Sequence, residues 1–254
     1  LRCGIFVKMS VVVHTRNRTQ LLKNCLKSLV KQAYDKRNYE IIVVDDGSDT
    51  EDSKIVVESL SLKSKTHFKY ARQKHSGPAA ARNLGISMSS ASIIAFIDDD
   101  CQADRNWLKS IYDAFSHEKD IWAVEGRTLT SGKIGPFSNY MINVNGGMFV
   151  TCNIAFKKSA LKAVRGFDGR FKHANREDSD MAFSIIEKGG KIKFVTEARV
   201  NHAALRNSFT IKMRKKAFFM YDILLMKKHR NLYRAYIKFP FEKSKTAMFV
   251  FVPP

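Results

Sequence analysis

The chain has 254 residues, 44% of them hydrophobic, with 13 Gly, 5 Pro and 4 Cys. A chain of that size buries roughly 70–75% of its unfolded surface, which excludes a disordered segment or a small disulfide scaffold. Lys and Arg number 44 against 24 Asp and Glu, a formal net charge of +20, so anionic partners are expected, with nucleic acid, a membrane surface and phosphorylated ligands all open at this point.

In chain order, the β-branched run MSVVVHT predicts a first strand, and Leu21, Leu22, Cys25, Leu26, Leu29 and Val30 follow at helical spacing. EIIVVDD predicts a second strand. A helix from about Asp52 to Leu60, a strand FKYA, an Ala-rich helix from Pro78 to Met88 and the strand SIIAFIDDD come next. This alternation predicts an α/β fold with a mostly parallel central sheet flanked by helices. Carboxylates at the C-terminal ends of such strands converge on one crevice, and two strands here end in Asp clusters. After DRNWLKSIYDAF and WAVEG the pattern turns irregular through TLTSGKIGPFSNYMINVNGGMFV, a stretch expected to wrap over the crevice before NIAFKKSAL. A loop GFDGRFKHANRED, a helix carrying Met181, Ala182, Ile185 and Ile186, and a strand KIKFVTE lead into a basic tail.

Cys3, Cys25, Cys101 and Cys152 form no CxxC pair, so neither a zinc knuckle nor a thioredoxin-like centre is encoded and a reduced, cytosolic compartment is expected. The opening LRCGIFVK lacks the apolar core and cleavage site of a secretory signal, and its leading Leu suggests an incomplete or processed chain. No apolar run approaches the roughly 20 residues that cross a bilayer.

Asp98-Asp99-Asp100 closes an apolar strand, where three adjacent anions repel unless a counterion or donor network offsets them. A divalent cation is the simplest counterion, because Mg²⁺ or Mn²⁺ takes carboxylate oxygen and bridges a diphosphate; an acidic cap or solvated turn is the alternative. Asp45 and Asp46 in VVDDGSD suit a base N–H or a ribose hydroxyl, or an Asx-type turn. Lys74, His75 and Arg82 supply donors in KHSGPAAARNLG, and Arg82 either contacts a phosphate or holds an active-site carboxylate. In HTRNR, Thr15 and Asn17 would meet a base or ribose, with Arg16 and Arg18 at the rim. Within Glu177-Asp178-Ser179-Asp180, Asp178 would take a proton from an acceptor hydroxyl and Glu177 would position that acceptor, unless these acids only favour a helix N-terminus. His202, reached through the strand and loop KFVTEARVN, would share a metal with Asp100. Cys152 and Asn153 are expected to shape the acceptor side of the pocket.

The ordered set SVVVHTRNR, EIIVVDDGSD, GPAAARNLGI, IIAFIDDD, GGMFVTCNIAFKKSAL, GFDGRF, NREDSDMAFSIIEKGG and VNH closely resembles family 2 glycosyltransferases with the GT-A fold, over roughly residues 9–203. The resemblance implies a Rossmann-like GT-A catalytic domain over residues 1–203 acting on a nucleotide-diphosphate sugar. It implies that Thr15, Asn17 and Asp46 hold the donor nucleotide, and that Arg82, Asp98 and Asp99 support the donor. Asp100 and His202 would bind Mg²⁺ or Mn²⁺. Asp178 would activate a hydroxyl of a saccharide or lipid-linked acceptor for direct displacement with inversion. Family members often carry an aromatic residue near the position of Asn17, and this chain does not. A sugar-nucleotide nucleotidyltransferase is the alternative enzyme, although it leaves the later Glu-Asp pair unexplained.

Residues 201–254 hold 12 basic and 2 acidic side chains, half of the net charge. There Met213, Ala217, Met220, Tyr221, Leu224 and Leu225 line a helical face beside Lys212, Arg214, Lys215, Lys216, Lys227 and Lys228. Residues 204–254 are therefore expected to form a basic helical extension that lies on an anionic membrane or packs on the domain. A non-catalytic nucleic-acid-binding protein is the remaining reading. It is disfavoured because no zinc finger or RRM pattern is present and acidic clusters suit a phosphate-binding face badly. The expected location is the cytoplasm, with the extension on the inner face of the cell membrane.

Overall fold

The structure, a computed structural model, describes residues 7–135, 138–206 and 219–237. Cys3, Lys212, Met213, Arg214, Lys215, Lys216 and Ala217 lie outside the described residues.

The first half alternates as expected: β1 (Met9–Thr15), α1 (Thr19–Val30), β2 (Tyr39–Asp45), α2 (Asp52–Lys63), β3 (His67–Arg72), α3 (Pro78–Met88) and β4 (Ile93–Phe96). The second half continues with β5 (Cys101–Ala103), α4 (Trp107–His117), β6 (Ile121–Ser131), β7 (Ser138–Asn139), β8 (Ile154–Lys157), α5 (Lys158–Ala163), α6 (Glu177–Glu187), β9 (Lys191–Ala203) and β10 (Leu205–Arg206). Two short helices follow, α7 (Phe219–Lys228) and α8 (Arg230–Tyr236).

Eight strands form one sheet in the order β3-β2-β1-β4-β8-β6-β9-β5, and β7 pairs with β10 separately. From β3 to β4 the pairing is parallel, and β6 runs parallel to β9. β8 runs opposite both β4 and β6, and β5 runs opposite β9. The parallel sheet expected from the sequence thus holds for its first half, while the second half is mixed. Continuous apolar runs in β1 and β2 reflect helices on both faces: Val11, Val13, Ile41 and Val43 join the core against Leu22, Leu26 and Leu29 of α1, whereas Val12, Ile42 and Val44 join the core with α3 and α6.

Leu225, Tyr233 and Ile237 belong to this second core, so α7 and α8 pack on the domain. Polar contacts fix them there. Lys228 Nζ lies 2.7 Å from Asp168 and 2.5 Å from Asp180, and the buried His229 pairs with Asp180 and Glu187 at 3.1 and 2.8 Å. No helix among the described residues is long and apolar enough to cross a membrane.

Candidate active site

The carboxyl ends of β1, β2 and β4 lie side by side, which brings Thr15, the 45–49 turn and Asp98-Asp99-Asp100 together at one edge of the sheet. Thr15 donates its hydroxyl to Asp99 Oδ2 at 2.7 Å, and Arg18 Nη1 bridges Asp99 Oδ1 at 3.2 Å and Asp100 Oδ2 at 3.1 Å. Arg18, read from the sequence as a rim residue, is therefore the nearest countercharge of the triplet. Burial pushes the Asp99 carboxyl up to about 7, against the opposing pull of Arg18. Burial also opposes ionisation of Asp98, but Arg82, His14 and His202 together hold its carboxyl below the ordinary value. Burial beside Arg82 lowers His14 to about 4.

Asp46 Oδ1 accepts from Gln73 Nε2 at 2.7 Å and Ser76 N at 2.8 Å, and Oδ2 contacts His75 Nδ1 at 2.8 Å and accepts from Gly77 N at 2.9 Å. Asp46 thus draws the loop after β3 against the end of β2 and shapes the wall of the crevice. Gly77, at φ +91°, closes that loop, and a β-carbon there would sit 2.3 Å from the Lys172 carbonyl oxygen. Asn17, at φ +55°, exchanges hydrogen bonds with Asp49 at 2.9 and 2.8 Å, which ties the end of β1 to this turn.

Asp100 and His202 meet as expected, but by a different route. His202 lies within β9 itself, opposite Cys101 of β5. The strand runs on through VNHA because its outer half pairs with both β5 and β6, with a register shift between Gly126 and Thr128. His202 Nδ1 lies 2.9 Å from the Ala203 carbonyl, which places a proton on Nδ1 and turns Nε2 toward Asp100 Oδ1, 3.5 Å away. Asp100, Cys101 and His202 offer ligand atoms within 4.8 Å of one another, the group of this kind among the described residues. A carboxylate and a neutral imidazole held by a backbone carbonyl fit a divalent cation such as Mn²⁺.

The second acidic cluster comes to the same place. Glu177, Asp178 and Asp180 sit in the first turn of α6, where the helix dipole favours negative charge. Buried Arg82 reaches across from α3, 2.8 Å from Glu177 Oε1 and 3.4 Å from Asp98 Oδ1. Of the two roles open to it, Arg82 takes the holding of carboxylates and links both clusters. Glu177 is thereby committed to Arg82. Burial and the adjacent Asp178 push its carboxyl up to about 7 despite that partner. Burial likewise raises Asp178, whose Oδ1 accepts from Ser179 N at 2.7 Å.

Arg82, Asp98, Cys152, Glu177, Asp178 and His202 all line one cavity of about 280 Å³, with Met141, Met148 and Val150 as an apolar wall. Cys152 therefore stands where expected. Asn153 does not: its amide accepts from Trp107 Nε1 at 2.8 Å and donates to the Arg127 and Ala198 carbonyls at 2.9 Å each. It is a fully buried staple between α4, β6 and β9, because a side chain with donors and acceptor all satisfied has nothing left for a ligand. Sequence reasoning passed over Glu125, whose carboxylate gathers Gly147 N, Met148 N, Phe149 N and Asn143 Nδ2 at 2.5–3.1 Å and so folds the loop that carries the apolar wall. It also passed over Arg176, which lines the cavity directly before Glu177.

Residues 10–165 match the family model for glycosyl transferase family 2. The chain belongs to that family. It is 34% identical over 101 residues to the glycosyltransferase AglE of Haloferax volcanii, covering 40% of this chain and 33% of AglE. It is 26% identical over 221 residues to the minor teichoic acid biosynthesis protein GgaB of Bacillus subtilis, covering 82% of this chain and 24% of GgaB. The chain thus spans a third or less of the length of these two relatives. Among solved structures, the mannosyltransferase PcManGT of Pyrobaculum calidifontis, in complex with GDP-Man and Mn²⁺, superposes with a TM-score of 0.70 at 16% identity, covering 87% of this chain and 65% of that one. The fold is GT-A, as in that neighbour.

Proposed function

We propose that this chain transfers a sugar from a nucleotide-diphosphate sugar to a hydroxyl of a saccharide or lipid-linked acceptor by direct displacement, inverting the anomeric centre. The observation that carries this reading is the single cavity onto which Asp98, His202 and the Glu177-Asp178 pair all open. The catalytic unit spans residues 1–203, and residues 204–254 form its basic extension.

On the donor side, Thr15 and Arg18 orient Asp99, Arg82 orients Asp98, and Asn17 with the turn shaped by Asp46 borders the nucleotide. Asp100 and His202 would hold Mg²⁺ or Mn²⁺, which would supply charge neutralisation for the departing nucleoside diphosphate. The complex of PcManGT with GDP-Man and Mn²⁺ supports a donor and a metal of these classes. On the acceptor side, Cys152 lines the wall and Asp178 takes the hydroxyl proton as the new bond forms. Glu177, held by Arg82, sets the position of Asp178 on α6. The part that GgaB takes in minor teichoic acid biosynthesis supports a saccharide or lipid-linked acceptor. Incubation with a panel of nucleotide sugars and such acceptors, followed by NMR of the product, tests the reading: the new linkage is expected to carry the inverted anomeric configuration, and a retained configuration contradicts it.

Asp178 acts only when ionised, and burial raises its carboxyl. Activity is therefore full above that raised value and falls as pH drops through it. A profile of kcat against pH is expected to show an acid limb above about 4, the ordinary Asp value; a limb at or below that value argues against Asp178 as the base.

Membrane association of the extension has its own support. Phe219, Met220 and Ile223 of α7 are exposed and apolar, and this face lies next to the basic run IKMRKKAF in sequence. The extension would then bind the anionic inner face of the cell membrane. Wild type is expected to sediment with vesicles containing phosphatidylserine, and a Met220→Glu/Ile223→Glu variant to lose about tenfold in affinity. Equal sedimentation of both proteins contradicts the assignment.

A further inference from the structure

The extension also contacts a residue that lines the catalytic cavity. Arg176, the residue before the Glu177-Asp178 pair, has φ +72°, in the left-handed region that side chains rarely adopt. Its carbonyl accepts from Asp180 N at 2.9 Å, so this backbone sets how α6 begins. Its guanidinium reaches Asp222 of α7, with Nε and Nη2 each 2.9 Å from Oδ1. The Tyr233 hydroxyl of α8 donates to the same oxygen at 3.1 Å. The pair is largely buried, Arg176 being 12% and Asp222 18% exposed.

Other groups hold α7 behind this contact. Lys228 and His229 grip Asp168, Asp180 and Glu187, and Tyr221 packs on Phe171 with ring centroids 5.6 Å apart. The loop from Gly166 to Arg176 and the first turn of α6 are therefore backed by the extension. The donor side has separate supports, since Thr15, Arg18 and His202 hold Asp99 and Asp100 without any residue of α7 or α8.

We propose that Asp222 is a positioning residue for sugar transfer: through Arg176 it fixes the start of α6 and thereby the place of Asp178 in the cavity. Asp222 touches no reacting atom. The role rests on the reading of Asp178 as the base, but the strut itself is a property of the fold.

Two measurements on Asp222→Ala separate these layers. In hydrogen exchange, amides of residues 176–180 are expected to exchange about tenfold faster than in wild type, with amides of β1 and β4 unchanged; unchanged exchange at 176–180, or faster exchange across the sheet, overturns the strut. In kinetics, kcat for transfer is expected to fall about tenfold or more while donor KM moves less than about twofold. Combining Asp222→Ala with Arg176→Ala is expected to lower kcat no further than Arg176→Ala alone. Additive losses, or a kcat equal to wild type, overturn the positioning role. If exchange changes as expected and kcat does not, the strut stands and the assignment of Asp178 falls.

Discussion

Asp178→Asn is expected to lower transfer by roughly 10²–10⁴-fold, the contribution of a positioned general base, or about 3–5 kcal/mol of transition-state stabilisation. The substitution keeps the side-chain shape and an oxygen that can still accept from Ser179 N, so the first turn of α6 survives. It removes only the capacity to take a proton. Donor binding is expected to stay within about twofold of wild type, because the groups that hold Asp99 and Asp100 are Thr15, Arg18 and His202. Burial strengthens the argument: a carboxylate in a partly water-free cavity is a stronger base than one in solution, and its raised proton affinity suits a group that must receive a proton. Calorimetric donor binding alongside single-turnover transfer checks both halves. Transfer within about threefold of wild type would remove Asp178 from the chemistry.

Asp100→Ala is expected to abolish the dependence of nucleoside diphosphate affinity on Mn²⁺, lowering that affinity by about 10–100-fold or more in the presence of the metal. Asp100 Oδ1 and His202 Nε2 form a matched pair, and the imidazole alone is a weak site for a hard cation. Folding stability is expected to hold or rise slightly, because Asp98, Asp99 and Asp100 crowd three carboxylates at the end of β4 and removal of one relieves their repulsion. Titration of Mn²⁺ by its EPR signal, paired with a thermal melt, reads both quantities. Unaltered Mn²⁺ binding, or binding lost only together with the fold, contradicts the metal role.

The parts of this site that were legible in the sequence are those that local patterns encode. Apolar strands that stop at Asp45-Asp46 and at Asp98 place acids at the sheet edge, and helical spacing after Glu177 places that pair in a first turn. What the patterns could not show was which polar groups are already satisfied. Asn153 sits beside the crevice in sequence terms, yet β6 and β9 consume the donors of its amide, and Asp46 also draws in the loop after β3. His202 was legible as a candidate metal ligand but not as a strand residue, since KIKFVTE ends its apolar run before the pairing with β5 that extends β9. Arg176 and Asp222 meet across 46 positions with no motif between them. One signal was present: Asp222 is one of only two acids among residues 201–254, and a lone carboxylate in so basic a segment calls for a specific partner.

The net charge also finds its place in this arrangement. Part of the positive excess of the extension is spent inward, where Lys228 grips Asp168 and Asp180 of the catalytic domain, while Lys227 remains on the exposed side of α7. The described part of the extension therefore has two faces: an inward one packed behind the start of α6, and an outward one that carries Lys227 beside Phe219, Met220 and Ile223, on which the proposed membrane association rests.

The most direct test of the account is acceptor-dependent release of nucleoside diphosphate in the presence of Mn²⁺, measured with a panel of nucleotide sugars, with saccharide and lipid-linked acceptors, and with a control lacking acceptor. Release that requires both one donor and one acceptor in wild type, and that is lost in Asp178→Asn with donor binding intact, is the predicted result. Release at the same rate without acceptor, or undiminished in Asp178→Asn, would contradict a transferase site built from these two acidic clusters.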